Sequence, residues 1–151
     1  MKLRSDFIKV KQKIYLAHTV RTRKEVKNIY EPQISVFFDV INPFNNNPYE
    51  IVDEYTEQYL RMQINNPYTL VQRDLDLIDE CQALIAILLD GPSYGTVFEI
   101  AYAHQKRYPI YVCCNLVDHP WLLVYADILN GTDQFLHGLM NYVGLRKYSN
   151  N

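Results

Sequence analysis

The chain has little of what would mark it as a secreted, membrane-bound or metal-dependent protein. Only three cysteines occur in 151 residues, so they cannot all pair. Two of them, Cys113 and Cys114, are adjacent, and on a strand they would point to opposite faces. That usage fits a reducing compartment, and a cytoplasmic location is expected. No apolar run reaches the ~18 residues of a membrane span, and the start lacks the apolar core of a signal peptide. His104, His119 and His137 show no metal-ligand spacing with one another or with cysteine. Neither a Walker A sequence nor G-x-G-x-x-G is present, so kinase and dinucleotide-binding readings have no support. Repeats, low-complexity tracts and linkers are absent too. No metal, organic cofactor or membrane partner is expected.

Net charge is also scarce, at −2, but it is unevenly spread. Nine of the 15 Lys and Arg residues lie between Lys2 and Lys27, against only Asp6 and Glu25, so that stretch is +7 and the remainder −9. A short basic segment on an otherwise acidic chain points to a small anionic ligand more than to a polynucleotide. No nucleic-acid partner is expected.

What is present is an ordinary globular composition, 48% hydrophobic and 21% charged, at a length suited to one domain. Lys13–Ala17 reads as a strand, Arg23–Tyr30 as a short helix, and Ile34–Phe38 as a second strand. The Asn- and Pro-rich segment after it reads as a loop. Helical spacing over Tyr49–Ile64 predicts a helix ended by Pro67, and a further helix runs Thr69–Cys81. Ala83–Leu89 is apolar throughout, as a strand covered on both faces must be. Helical spacing resumes over Val97–Lys106. Tyr108–Cys114 is another buried strand, and Trp121–Leu129 a helix. Phe135–Val143 is apolar, with strand and helix both open. This order predicts an α/β fold, a single-domain open parallel sheet in a flavodoxin- or Rossmann-like three-layer sandwich. Residues 1–12 form a basic N-terminal extension to a domain over 13–151. Such sheets bind ligands beyond the C-terminal ends of their strands, which directs attention to the residues after Ala17, Phe38, Leu89 and Cys114.

The strongest local signal is DGPSYGTVFEIAYAH, from Asp90 to His104. A buried strand ends, a tight loop follows, and a helix starts at once. Glu99 falls in the first or second turn of that helix, where unpaired N–H groups and the dipole hold a carboxylate ionised. It could serve as a nucleophile or charge stabiliser there, or simply complement the dipole. The same N–H groups can cradle an anion. Just before the same strand stands Arg73-Asp74-Leu75-Asp76. Asp74 is four after Leu70 and four before Ile78, on the core side, whereas Asp76 diverges toward solvent. A core-facing carboxylate is costly without a partner or a task. Two carboxylates near one pocket are what glycosidic chemistry uses.

KIYLA in the first strand and RDLDLIDECQALIAILLDGPSYGTVFEIAYA in the middle resemble the nucleoside 2-deoxyribosyltransferase superfamily over roughly Lys13 to Cys114. The G-T-x-x-E-x-x-Y-A element, Gly95 to Ala103, is the most specific part. The resemblance implies a carboxylate nucleophile that forms a covalent 2-deoxyribosyl intermediate, then passes the sugar to a second base (transferase) or to water (hydrolase). Glu99 matches that nucleophile, Tyr15 the tyrosine that orients it, Asp74 the aspartate before the buried strand, and Asp90 the one that ends it. Transferases commonly carry an aspartate where Ser93 stands. A serine in that slot resembles the 2-deoxynucleoside 5-phosphate N-hydrolases, in which it contacts the 5-phosphate. Thr19 and Arg21 follow Tyr15 at the spacing of that group's Ser and Arg, and a guanidinium suits phosphate.

The expected function is therefore cleavage of the N-glycosidic bond of a 2-deoxynucleoside or its 5-monophosphate, with a lean to monophosphates. Glu99, Asp74 and Tyr15 form the expected catalytic group, and Asp90, Ser93, Thr19, Arg21, Gly95 and His18 the substrate-binding group. Phe38, Phe44 and Tyr49 border the second-strand loop and could stack on a base. The expected partner is a small nucleoside or nucleotide, in a homo-oligomer of dimer size or larger. Relatives complete the site with an Asn or Ser from a neighbouring subunit; Asn115 and Asn130 are the candidates, without a clean match. The alternative is a non-catalytic nucleotide-binding protein that keeps the fold.

Overall fold

The structure, a computed structural model, describes residues 10–45 and 67–149. The helix expected over Tyr49–Ile64 and most of the basic extension lie outside these residues. Among them, five strands form one parallel sheet: β1 Lys13–His18, β2 Asp39–Ile41, β3 Ala83–Leu88, β4 Ile110–Cys114 and β5 Ile128–Asn130. Their order is β2-β1-β3-β4-β5. This is the open doubly wound arrangement expected from the alternation of strands and helices.

Two cores lie on opposite faces of the sheet. Ile14 and Leu16 of β1, Ala83, Ile85 and Ile87 of β3, and Tyr111 and Cys113 of β4 share one core. Tyr15 and Ala17, Leu84, Ala86 and Leu88, and Val112 and Cys114 share the other. The alternation follows from the two-residue period of a strand. It also separates the adjacent cysteines, both buried and unpaired, onto different faces.

The first face is covered by two helices. One is a continuous helical run, α1, made of α-helical Arg23–Glu25, π-helical Val26–Tyr30 and α-helical Glu31–Ile34. Its pitch widens just before Pro32, whose ring would clash with a carbonyl one turn back in a regular helix. The other is α5, Phe135–Ser149, reached through a 3₁₀ turn at Thr132–Gln134. The second face is covered by α2 (Pro67–Asp79), α3 (Tyr94–Gln105) and α4 (Pro120–Tyr125), through Ile78, Ile100, Ala103 and Leu122.

Several expected boundaries change. Ile34–Phe38 is not a strand: Ile34 ends α1, a turn follows, and the strand is Asp39–Ile41. Ile34 and Phe38 are buried four residues apart against the α5 side, so the apolar run is a helix end and turn. The helix expected over Thr69–Cys81 runs Pro67–Asp79 among the described residues. The Trp121–Leu129 helix stops at Tyr125, and Ile128–Asn130 forms a fifth strand beside β4. Phe135–Val143 is helical. No helix among the described residues is long and apolar enough to cross a membrane.

Candidate active site

The connections leaving β1 and β3 run to opposite sides of the strand order, which opens a crevice at their C-terminal ends. A cleft of about 600 Å³ lies there. The segment after β1 lines it with His18, Thr19 and Arg21, and the start of α3 with Ser93, Gly95 and Glu99. Pro43 and Phe44, after β2, and Asp74 of α2 complete its polar and aromatic walls.

Tyr15 points to the face that α2 and α3 cover, because of its parity on β1. The three residues of the expected catalytic group therefore converge from three elements. Glu99 sits on α3 one turn after Gly95, and a Cβ added at Gly95 would stand 3.9 Å from Glu99 Oε1. The Glu99 Oε2 and the Tyr15 hydroxyl are both buried, and neither has a hydrogen-bond partner of good geometry, although the two groups face one another closely enough for the phenol to favour the ionised carboxyl. Two poorly paired polar atoms, one on the cleft-lining Glu99 and one on Tyr15 behind it, are costly, and such groups concentrate where a ligand or reaction uses them.

The electrostatics differ from expectation. Glu99 is pushed up to about 8, first by burial and then by the Asp74 charge, with the Tyr15 hydroxyl pulling the other way. The helix dipole does not hold it ionised, because Glu99 lies in the second turn of α3, where the field of the N-terminus has faded. Asp74 is pushed up to about 6 by burial, with Arg73 opposing. Asp74 loses its proton first, so Glu99 titrates against a charged neighbour. Tyr15 is raised well above its ordinary value by burial and by the Glu99 and Asp74 charges, so it stays a neutral phenol. Asp76, as expected, is exposed and accepts a hydrogen bond from Gln72 at 2.8 Å.

Thr19 and Arg21 line the cleft and both meet Asp90, which is not part of its lining. Arg21 Nη2 lies 3.0 Å from Asp90 Oδ2, and Thr19 Oγ1 donates to Asp90 Oδ1 at 3.3 Å. Arg21, expected to meet an anion, and Asp90, expected in the substrate-binding group, are thus joined in one ion pair. Gly91 permits the approach, since the loop needs its φ of +97°. Ser93 is the N-cap of α3: its side chain accepts from the Thr96 N–H at 3.3 Å, and Thr96 Oγ1 accepts from the Ser93 N–H at 3.0 Å. It keeps its place in the cleft wall while capping.

His18 is buried. Its Nε2 meets Asn42 Oδ1 at 2.9 Å and its ring packs on Phe44, with centroids 4.6 Å apart. Burial lowers its pKa, so it presents a neutral imidazole. Phe44 is thus the ring of the second-strand loop that reaches the cleft. Phe38 is buried in the opposite core, and Tyr49 lies outside the described residues.

Asn115 and Asn130 are committed elsewhere. Asn115 Oδ1 accepts from the Thr132 N–H at 3.1 Å, and Asn130 Oδ1 accepts from the Tyr111 hydroxyl at 2.7 Å. Two contributors had no role from sequence. Asn42 accepts from the Phe44 N–H at 3.0 Å and so shapes the loop. Arg73 reaches that loop from α2. Arg73 carries no sequence signal, since it acts 30 residues away, whereas the Asn42 bond to Phe44 is a local turn of the kind Asn favours and only its bond to His18 is long-range. Among the described residues, no cluster of His, Cys, Asp and Glu could hold a metal ion. No protein-family model and no curated protein matches the chain.

Proposed function

We propose that this protein cleaves the N-glycosidic bond of a 2-deoxynucleoside or its 5-monophosphate, as its resemblance to the nucleoside 2-deoxyribosyltransferases implies. The observation that carries the reading is a buried carboxyl oxygen on Glu99 with no partner, at a pocket wall shared with a second raised carboxyl, Asp74.

Between about pH 6 and 8 the two carboxyls hold one proton between them. The reactive arrangement has that proton on Asp74. A Glu99 oxygen then forms a bond to C1 of the sugar as the C1–N bond breaks. The electron pair leaves on the base nitrogen, which takes the proton from Asp74. Water or a second base next attacks C1, the C1–O bond breaks, and Glu99 is released as a carboxylate. The attacking water, or the N–H of the second base, gives its proton to Asp74. Tyr15 faces Glu99 and favours its ionised form.

Thr19, Arg21 and Ser93 share the cleft wall, which supports assigning the 5-substituent to them. A phosphate there competes with Asp90 for Arg21. That ion pair is largely exposed, with Arg21 at 70%, and pairs of this kind are worth only ~0–1 kcal/mol. A dianion can displace it.

The test is a panel of nucleosides and nucleoside 5-monophosphates, with and without an acceptor base. Turnover is expected, with a bell-shaped kcat/KM whose limbs fall near 6 and 8. Glu99→Gln should lower kcat by ~10³-fold or more and abolish a deoxyribosyl adduct detectable by mass. Full activity in Glu99→Gln would overturn the nucleophile assignment.

A further inference from the structure

Arg73 and Asp74 are neighbours on α2, about 100° apart around the helix, yet their side chains meet. Arg73 Nη1 donates to Asp74 Oδ1 at 3.0 Å, and both side chains are mostly buried, with 24% and 19% exposed. The other arm of the same guanidinium, Nη2, donates to the Pro43 carbonyl at 2.8 Å. Pro43 precedes Phe44, which packs on His18 and lines the cleft. One rigid fork therefore spans the loop after β2 and the carboxylate on α2.

We propose that Arg73 is a positioning residue that ties the loop carrying Phe44 to the Asp74 carboxylate, so that the aromatic wall of the cleft and its acid group are set together. A guanidinium suits this because its planar donors are fixed relative to one another, which an ammonium cannot match. When Asp74 is ionised, the fork is held at both ends. When Asp74 is protonated its carbonyl oxygen can still accept, but the attraction between the two charges is gone and the hold at that end weakens relative to the Pro43 carbonyl. The charge on Asp74 is thereby felt at Pro43 and Phe44, through a guanidinium bond that spans 30 residues of sequence. As a role for Arg73 in catalysis, this rests on the reading of Asp74 and Glu99 given above. As a coupling between two walls, it stands on the two hydrogen bonds alone.

The titratable groups facing this unit are Glu99 from α3, Tyr15 and His18 from β1, and Arg73 itself. Glu99 and His18 need separating from Asp74 in any titration. NMR titration of the whole protein does this by following the Asp74 side-chain carboxyl and the Phe44 amide together. In the wild type, the Phe44 amide should show a step coincident with that of Asp74. The step should vanish in Asp74→Asn, while any His18 step remains. In Arg73→Met the Asp74 step should move to higher pH and the Phe44 amide should cease to follow it. Arg73→Lys keeps the charge beside Asp74 but cannot span both acceptors. It should leave the Asp74 step nearer the wild-type position and still lose the Phe44 response, and it serves if the Met variant fails to fold. A Phe44 amide that ignores Asp74 in the wild type, or follows it unchanged in both variants, overturns the proposal. Absence of turnover on the substrate panel, with the coupled step intact, would overturn the reading of function and leave the coupling standing.

Discussion

Tyr15 and Glu99 each bury a polar atom that meets no partner in good geometry, and burial dominates the protonation of both, with the phenol facing the carboxyl as a smaller influence. A group buried and left unpaired costs roughly 1–3 kcal/mol, so a fold selected for stability alone would replace it. Tyr15→Phe removes one such atom. It should leave Tm unchanged or raised, and lower kcat by ~10–100-fold if the phenol orients Glu99. It should also move the upper limb of the pH profile above 8, because the phenol favours the ionised carboxyl. A pH profile identical to the wild type would remove Tyr15 from the site. Glu99, Asp74 and Tyr15 were all legible in the sequence, from a helix start, a core-side register and a family likeness. The protonation state of Glu99 was not. Position near a helix N-terminus argued for an ionised group, and the depth of burial decided otherwise.

The ends of elements were the least legible parts of the chain. β2 and β5 are three residues each, at the two edges of the sheet, and neither is long enough to show a period. Ile34–Phe38 has strand composition but belongs to a helix end, because tertiary packing of Ile34 and Phe38 outweighs β propensity. The end of α3 shows another departure. Arg107 has φ of 61°, the left-handed position that glycine usually fills. Its N–H bonds the His104 carbonyl at 2.9 Å, and the Tyr108 N–H bonds the Ala103 carbonyl at 3.0 Å. These two bonds close the helix in a Schellman motif. Arg107→Gly relieves the backbone strain at an exposed position, and should stabilise by ~0.5–1 kcal/mol. In a thermal melt that corresponds to a rise in Tm of roughly 1–4 °C. A fall in Tm would show that the Arg107 side chain matters more than its backbone.

At the scale of the whole molecule, the raised carboxyl of Glu99 makes stability depend on pH. Its folded value, about 8, lies above the ordinary 4.5, so the folded state holds the proton more tightly than the unfolded chain does. The resulting penalty is absent below about pH 4.5, grows as pH rises, and is complete above about 8. Its slope reaches at most ~1.4 kcal/mol per pH unit. Glu99→Gln should therefore match the wild type in denaturant melts near pH 4 and exceed it by a few kcal/mol near pH 8. Comparing the two proteins at each pH cancels the opposite contribution of His18, whose lowered value favours the folded state as pH rises. A stability difference that does not vary with pH would mean that Glu99 is not held neutral by burial.

The sequence by itself determined the architecture. Continuous apolar runs at β3 and β4 can be satisfied only inside a sheet covered on both faces, and helical periods between them supply the covers. It also put Asp74 on the core side of its helix and Glu99 near the start of the next, because helix register is a local property, whereas Tyr15 came from the resemblance alone. Only the tertiary structure decided what those groups meet. Arg21 turns to Asp90, Ser93 caps a helix, Asn115 and Asn130 are held by internal bonds, and Arg73 bridges a loop 30 residues away. Burial, which sets the charge of Glu99 and Asp74, is likewise a sum over elements distant in sequence. Residue spacing carries the period of an element, while partners and desolvation depend on how separate elements pack.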